Sequence, residues 1–343
     1  MQDKIHGSIL KRVIRLLLPI FIGLGVTILM FYNEFKEDAF FKFPISWNYG
    51  ILILLAIFFM IGRDLSLAWR FRMMCLPEKL KWKSAIKADL LCEFASAATP
   101  TTIGGSGFIA IFLRSHGISM DKGIMITIAT LFLDEFFFVI ACPILFLFLS
   151  PAEIFGEKVS INSELTIVFV IVYLCTAIYT ILLFISLFYK SDIYAKASRW
   201  LFSIKWLRRY LPKVEETLRN MELSALQLRN KSYLFWGKAF LSTAMAWISR
   251  YLVACMLFMP FVHGKTMPII FARQFTMWIV MMVSPTPGGS GVSEYIFSAY
   301  YSDIIASTSV ILVITVLWRI ITFYSYLLLG SALIPGLVRR LKK

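Results

Sequence analysis

The fold class this sequence predicts is an all-α polytopic membrane protein, with about six transmembrane helices and two oppositely oriented re-entrant hairpins forming an inverted repeat. Three observations predict it. Of 343 residues, 59% are apolar and only 16% charged, against ~45–50% and ~25% in soluble domains, and the mean hydropathy is +0.76. Long runs free of Asp, Glu, Lys and Arg recur along the chain. Two such runs are interrupted midway by similar Pro/Gly clusters, where a continuous helix would fail.

The uncharged runs cover 16–33, 43–62, 94–113, 136–152, 165–189, 274–293 and 320–338. A helix needs about 20 predominantly apolar residues to cross the hydrocarbon core. Single charges fall inside longer spans, as Arg250 does in 233–259 and Arg319 in 304–333. The first run follows Lys4, Lys11, Arg12 and Arg15, like a signal-peptide n-region, but its length and the lack of an A-x-A site favour a retained helix.

Charge sets the orientation. The formal charge is +15, and 26 of the 35 Lys+Arg sit in alternate loops: four at the N-terminus, six in 63–83, Arg114 and Lys122, ten in 190–231 and four in 339–343. The intervening loops hold Lys36, Lys42, Lys158 and Lys265 beside acids such as Glu34, Glu37, Asp38, Glu153 and Glu157. This is the positive-inside pattern rather than the solvated basic face of a nucleic-acid binder. All basic loops reach one side only if 84–116 and 268–302 turn back within the membrane, the first from the cytoplasm and the second from outside. Opposed, broken segments of this kind are a mark of inverted repeats in transporters. The chain then reads as one domain over 1–343, with a first repeat at 47–149, a basic amphipathic connector at 190–231 and a second repeat at 233–333.

The breaks resemble each other. Residues 99–107 read Thr-Pro-Thr-Thr-Ile-Gly-Gly-Ser-Gly, and residues 284–291 read Ser-Pro-Thr-Pro-Gly-Gly-Ser-Gly. Surface turns share this composition, but neither break lies between two complete spans. Unwound backbone in a bilayer is tolerated where protein buries it or where it lines a wet cavity. Half-helix N-termini there suit a phosphate or carboxylate, and glycine permits close approach. Pro100, Gly104, Gly105, Pro285, Pro287, Gly288 and Gly289 are therefore candidate substrate-binding residues. No Gly-Lys-Ser/Thr follows either run, so neither is a P-loop.

Ionisable residues inside the spans and hairpins are Lys87, Asp89, Glu93, Asp134, Glu135, Arg250, Arg273, Glu294 and Arg319. Each costs ~2.5–3.5 kcal/mol unless it finds a partner or water. Glu93, Arg250, Arg273, Glu294 and Arg319 join the candidate substrate site, while Asp89, Asp134 and Glu135 are candidate coupling or structural charges. Asp134 and Glu135 are adjacent and point ~100° apart on a helix, so at most one is expected to face the centre. Lys87 and Lys238 are expected to snorkel. Five cysteines without a CxxC pair and three scattered histidines support neither a disulfide framework nor a metal site. No cofactor, catalytic residue or nucleic-acid partner is expected.

These motifs make the chain similar to the lysylphosphatidylglycerol synthase transmembrane-domain family, the flippase-like membrane portion of bacterial multiple peptide resistance factors. The resemblance is carried by 285–294 (Pro-Thr-Pro-Gly-Gly-Ser-Gly-Val-Ser-Glu), Thr99-Pro100 through Gly104-Gly105, the basic stretch 63–72, and Arg319. It implies a stand-alone member, lacking room for the aminoacyl-transferase domain, in the bacterial cytoplasmic membrane with both termini cytoplasmic. It also implies movement of an anionic or aminoacylated phospholipid between leaflets, with membrane phospholipids as partners. The chain departs from the pattern at Asp134-Glu135, where relatives often carry an acid–Arg pair. Two alternatives stay open: an intramembrane enzyme acting on a lipid head group, with Glu93, Asp134 or Glu294 as acid or base, and a small-solute transporter. Whether the chain forms a homo-oligomer is open too.

Overall fold

The computed structural model describes residues 47–76, 78, 80–99, 105–156, 164–189, 222–284 and 286–341, with Gly25 and Asn220. Among them the chain is helical and contains no strand. In order run α1 (Trp47–Met74), α2 (Trp82–Ala98), α3 (Ser106–Arg114), α4 (Met120–Phe148), α5 (Pro151–Phe155), α6 (Glu164–Phe188), α7 (Tyr233–Phe258), α8 (Met267–Met281), α9 (Val292–Tyr301), α10 (Thr308–Arg319) and α11 (Ser325–Leu341). A π-helical turn, Ile320–Tyr324, joins α10 to α11.

Among the described residues, five helices are long and apolar enough to cross a membrane: Trp47–Met74, Met120–Phe148, Thr166–Phe188, Tyr233–Phe261 and Thr308–Leu341. The first apolar run, 16–33, lies outside the described residues apart from Gly25, as does most of the connector. At the connector's end, 222–229 is helical and buries Ala225 and Leu228. The chain is an integral membrane protein. Its outward apolar side chains, such as Leu54 and Phe58 on α1 and Ile171, Leu174 and Ile178 on α6, form a surface suited to lipid rather than water.

The element order repeats. A long helix (α1, α7) precedes two short ones separated by a Pro/Gly break (α2–α3, α8–α9), and a long helix follows (α4, α10–α11). With 17 and 15 residues, α2 and α8 reach only ~22–26 Å, short of a ~30 Å hydrocarbon core. The two long helices α1 and α7 pack along each other. Long α7 and α10 start at Ser232 and Ser307, whose side chains accept N–H bonds from Phe235 (3.2 Å) and Val310 (3.4 Å).

One expectation needs correction. Residues 63–83 were expected to form a basic cytoplasmic loop, yet α1 continues to Met74 and buries both Arg63 and Arg70. Carboxylates from α2 and α4 meet these guanidiniums, which removes the penalty that placed them outside.

Candidate functional site

The buried charges assemble where α1, α2, α4 and α7 meet. Arg63 forms ion pairs with Asp64 (2.8 Å), Asp89 (3.5 Å) and Glu93. Asp89 and Glu93 lie one helical turn apart on α2, so both carboxylates reach the same guanidinium. Arg250 of α7 approaches the other oxygen of Glu93 at 3.3 Å, and its guanidinium stacks 4.5 Å from the Trp278 ring centre. Tyr326 of α11 closes the network by donating to Asp64 at 2.6 Å.

A second node lies one turn pair along α1. Arg70 clasps Asp134 through both terminal nitrogens, at 2.6 and 3.0 Å, and donates to Thr243 at 2.8 Å. Trp247 donates its indole N–H to Asp134 at 3.0 Å. A planar guanidinium matched to a carboxylate fork is the stronger kind of ion pair. Glu135, by contrast, is buried with its Oε2 lacking a hydrogen bond.

The C-terminal helices build their own pair. Arg319, at the end of α10, bonds Glu294 at 2.7 Å and also donates to Ser293. Glu294 is fully buried and accepts the Gly291 N–H at 2.7 Å, capping α9. The π-helical turn following Arg319 sets Phe323 over its guanidinium, 4.5 Å from the ring centre.

Two cavities flank Glu93, Ser96 and Trp278, which line both. The larger, about 130 Å³, is lined by Asp89, Glu93, Asp134 and Glu135 with Arg63 and Arg70. The smaller, about 50 Å³, has Arg250 and Arg319 with Glu93 and is walled by Phe323 and Tyr326. Each has two arginines, against four carboxylates in the larger and one in the smaller, so acid is in excess on one side and arginine on the other. Their common wall holds a carboxylate.

The breaks converge on the same place. Gly105 lines the larger cavity and Gly288 the smaller. Gly288 donates its N–H to the Thr99 carbonyl across the two breaks, at 3.4 Å. Gly288 and Gly289 have φ of +56° and +69°, a region other residues avoid. At Gly105 the φ is ordinary, but a Cβ would run into the Cys92 carbonyl and Ser96 Oγ.

Glu93, Gly105, Arg250, Gly288, Arg319, Asp89, Asp134 and Glu135 thus line the paired cavities. Gly289, Pro287 and Glu294 lie in the adjoining second break, while Pro100, Gly104 and Pro285 fall outside the described residues. Arg273 is elsewhere: it pairs with Asp303 at 2.5 Å and donates to the carbonyls of Glu153 (2.9 Å) and Tyr300, lining neither cavity. A further expectation is corrected: Asp134 and Glu135 both face the larger cavity, because a space bounded by α1, α2 and α7 spans more than the ~100° between them. Sequence reasoning missed Arg63 and Arg70 as site residues. Their seven-residue spacing, two turns on one face, was the available signal.

The five cysteines are unpaired, and the described residues contain no His/Cys/Asp/Glu group arranged to hold a metal ion. The chain is 23% identical over 283 residues to a protein described as a UPF0104 membrane protein from Archaeoglobus fulgidus, covering 81% of this chain and 85% of that one. No solved structure matches it. A family model described as the lysylphosphatidylglycerol synthase TM region matches residues 16–330, a stretch that contains both breaks and every buried arginine above. The chain belongs to the lysylphosphatidylglycerol synthase transmembrane-region family.

Proposed function

We propose that this protein moves a phospholipid bearing an amine, such as an aminoacylated phosphatidylglycerol, between the leaflets of the cytoplasmic membrane. The head group would enter the paired cavities while the acyl chains stay in lipid. One observation carries the reading: a cavity with an excess of carboxylates and one with an excess of arginine over acid adjoin at the point where the two breaks touch. A head group carrying both an ammonium and a phosphate matches that polarity, the ammonium toward Asp89 and Glu135 and the phosphate toward Arg250 and Arg319. Membership of a family described by a lipid-modifying synthase supports the substrate class.

In this reading α2–α3 and α8–α9 are re-entrant hairpins from opposite faces, both termini are cytoplasmic, and two inverted repeats rock about the α1–α7 contact. Cysteine labelling checks it: position 116 should react from the cytoplasm and position 302 from outside. The enzyme alternative has less support. Glu93, Asp134 and Glu294 are each held by arginine, an arrangement that favours fixed charge over proton transfer to substrate.

The test is leaflet exchange in proteoliposomes with labelled lysyl-phosphatidylglycerol and phosphatidylglycerol. Wild-type protein should accelerate the lysylated lipid more than the unmodified one. Arg250→Gln should slow both at least tenfold, and Arg273→Gln should leave the preference unchanged. Exchange no faster than in protein-free vesicles overturns the proposal, and recovery of a chemically altered lipid favours catalysis.

A further inference from the structure

We infer that Glu135 is a proton-binding site, and that a proton taken up there is exchanged for the cationic head group; this rests on the translocase reading. Glu135 is 6% exposed, and its Oε2 has no hydrogen-bond partner although it borders the larger cavity. No salt bridge among the described residues involves it. On α7, the Tyr251 hydroxyl is likewise buried without a hydrogen-bond partner.

The surrounding groups explain why a proton suits the site. Its own helix offers Asp134 and Cys142, and α6 offers Tyr173, whose hydroxyl is spent on the Val139 carbonyl. The described part of α3 has only Arg114, at its exposed end. From α2 come Asp89, Cys92 and Glu93, and from α7 Arg250 and Tyr251. The nearby arginines are committed: Arg70 to Asp134, Arg63 to Asp64, Asp89 and Glu93, and Arg250 to Glu93.

Asp64, Asp89, Glu93, Asp134 and Glu135 face Arg63, Arg70 and Arg250, so five carboxylates meet three guanidiniums and the cluster is two positive charges short of neutral. Burying an unpaired carboxylate is costly, and either a proton or an ammonium relieves the cost. The two therefore compete. A proton from one aqueous face forms the O–H bond on Glu135 and is released to water as the head-group ammonium arrives. Charge balances, and no redox partner is needed. A sodium ion fits less well, since the described residues provide no metal-holding group of acids.

Two measurements on the full-length protein test this separately from transport. Infrared difference spectra of the purified protein across a pH titration should contain a carboxylic C=O band, insensitive to Na⁺, that is absent in Glu135→Gln and shifted in Glu135→Asp. Persistence of the same band in Glu135→Gln overturns the proton site. In proteoliposomes, a pH gradient should accelerate wild-type lysyl-phosphatidylglycerol exchange severalfold, while Glu135→Gln should exchange more slowly than wild type and at the same rate with and without the gradient. A gradient response preserved in Glu135→Gln overturns the coupling. If the band is lost as expected but wild-type protein moves no lipid, the proton site stands and the lipid reading falls.

Discussion

The two halves of the molecule solve the same problem, arginine inside a membrane, in opposite ways. In the second half Arg319 pairs with Glu294 and Arg273 with Asp303, each with a further bond to a hydroxyl or a backbone carbonyl, while Arg250 reaches across to Glu93 of the first half. In the first half Arg63 is shared among three carboxylates, Glu93 is shared between two arginines, and Glu135 is paired with none. Closed pairs fasten one helix to another. A shared network with surplus acid exchanges partners more readily than a closed pair, and this one is centred on the first half, where Arg70–Asp134 is the closed pair beside it.

The strongest way to break this comparison is to remove one member of each kind. Glu294 is fully buried, and Glu294→Ala leaves Arg319 unpaired, which should cost ~3–5 kcal/mol. Asp64→Asn removes one of three acids around Arg63 and should cost well under half of that. Thermal unfolding in detergent measures both. Equal losses would mean that the first-half network is as rigid as the second-half pair.

The breaks differ as well, and substitution sharpens the difference. At Gly289 an alanine meets the flexible end of Met281 at a positive φ, while at Gly105 it meets the Cys92 backbone carbonyl at an ordinary φ. Strain at such a φ is on the order of 1–3 kcal/mol. A smaller side chain at Met281 should recover part of the loss in Gly289→Ala, whereas no side-chain change can move the obstacle at Gly105. Lipid exchange at matched amounts of folded protein is the readout. Rescue of Gly105→Ala by Ser96→Ala alone would show that the backbone contact is not limiting.

The helical, membrane-spanning character was legible because it depends on composition and run length, which need no tertiary information. The paired breaks were legible because Pro-Thr and Gly-Gly-Ser-Gly recur nearly verbatim. Arg63 and Arg70 were not, since a run-based reading ends a span at its first charge and cannot know that Asp89, Glu93 and Asp134 wait on other helices. That Arg273 lies away from the paired cavities was not legible for the complementary reason. Its partner Asp303 lies just past α9, thirty residues on, and only folding brings the two together at one end of the bundle. Charge inside a span announces a partner without saying which one.

The smallest effect expected lies outside the bilayer, at the cap of α5, where Arg273 of the second half reaches the loop. Ser150 donates its N–H and hydroxyl to the Glu153 carboxylate, at 2.8 and 2.7 Å, and the Glu153 N–H donates back to Ser150 at 3.3 Å. The Ser150 backbone bond, then its hydroxyl, hold the Glu153 carboxyl below the usual glutamate value. A carboxyl lowered in the folded state stabilises above its unfolded pKa and loses that contribution as pH falls through its folded pKa. The cap should therefore loosen only in acid, below the ordinary glutamate range. The Glu153 carbonyl also accepts from Arg273, so a loosened cap frees one anchor of the Arg273–Asp303 pair without breaking it. Hydrogen-exchange protection across 149–156, corrected for intrinsic rates, should fall slightly with acid in the wild type and be pH-independent in Glu153→Gln. The same acid response in both would assign the loosening to some other group, and a large loss of global stability would mean that the second half is less self-sufficient than its closed pairs imply.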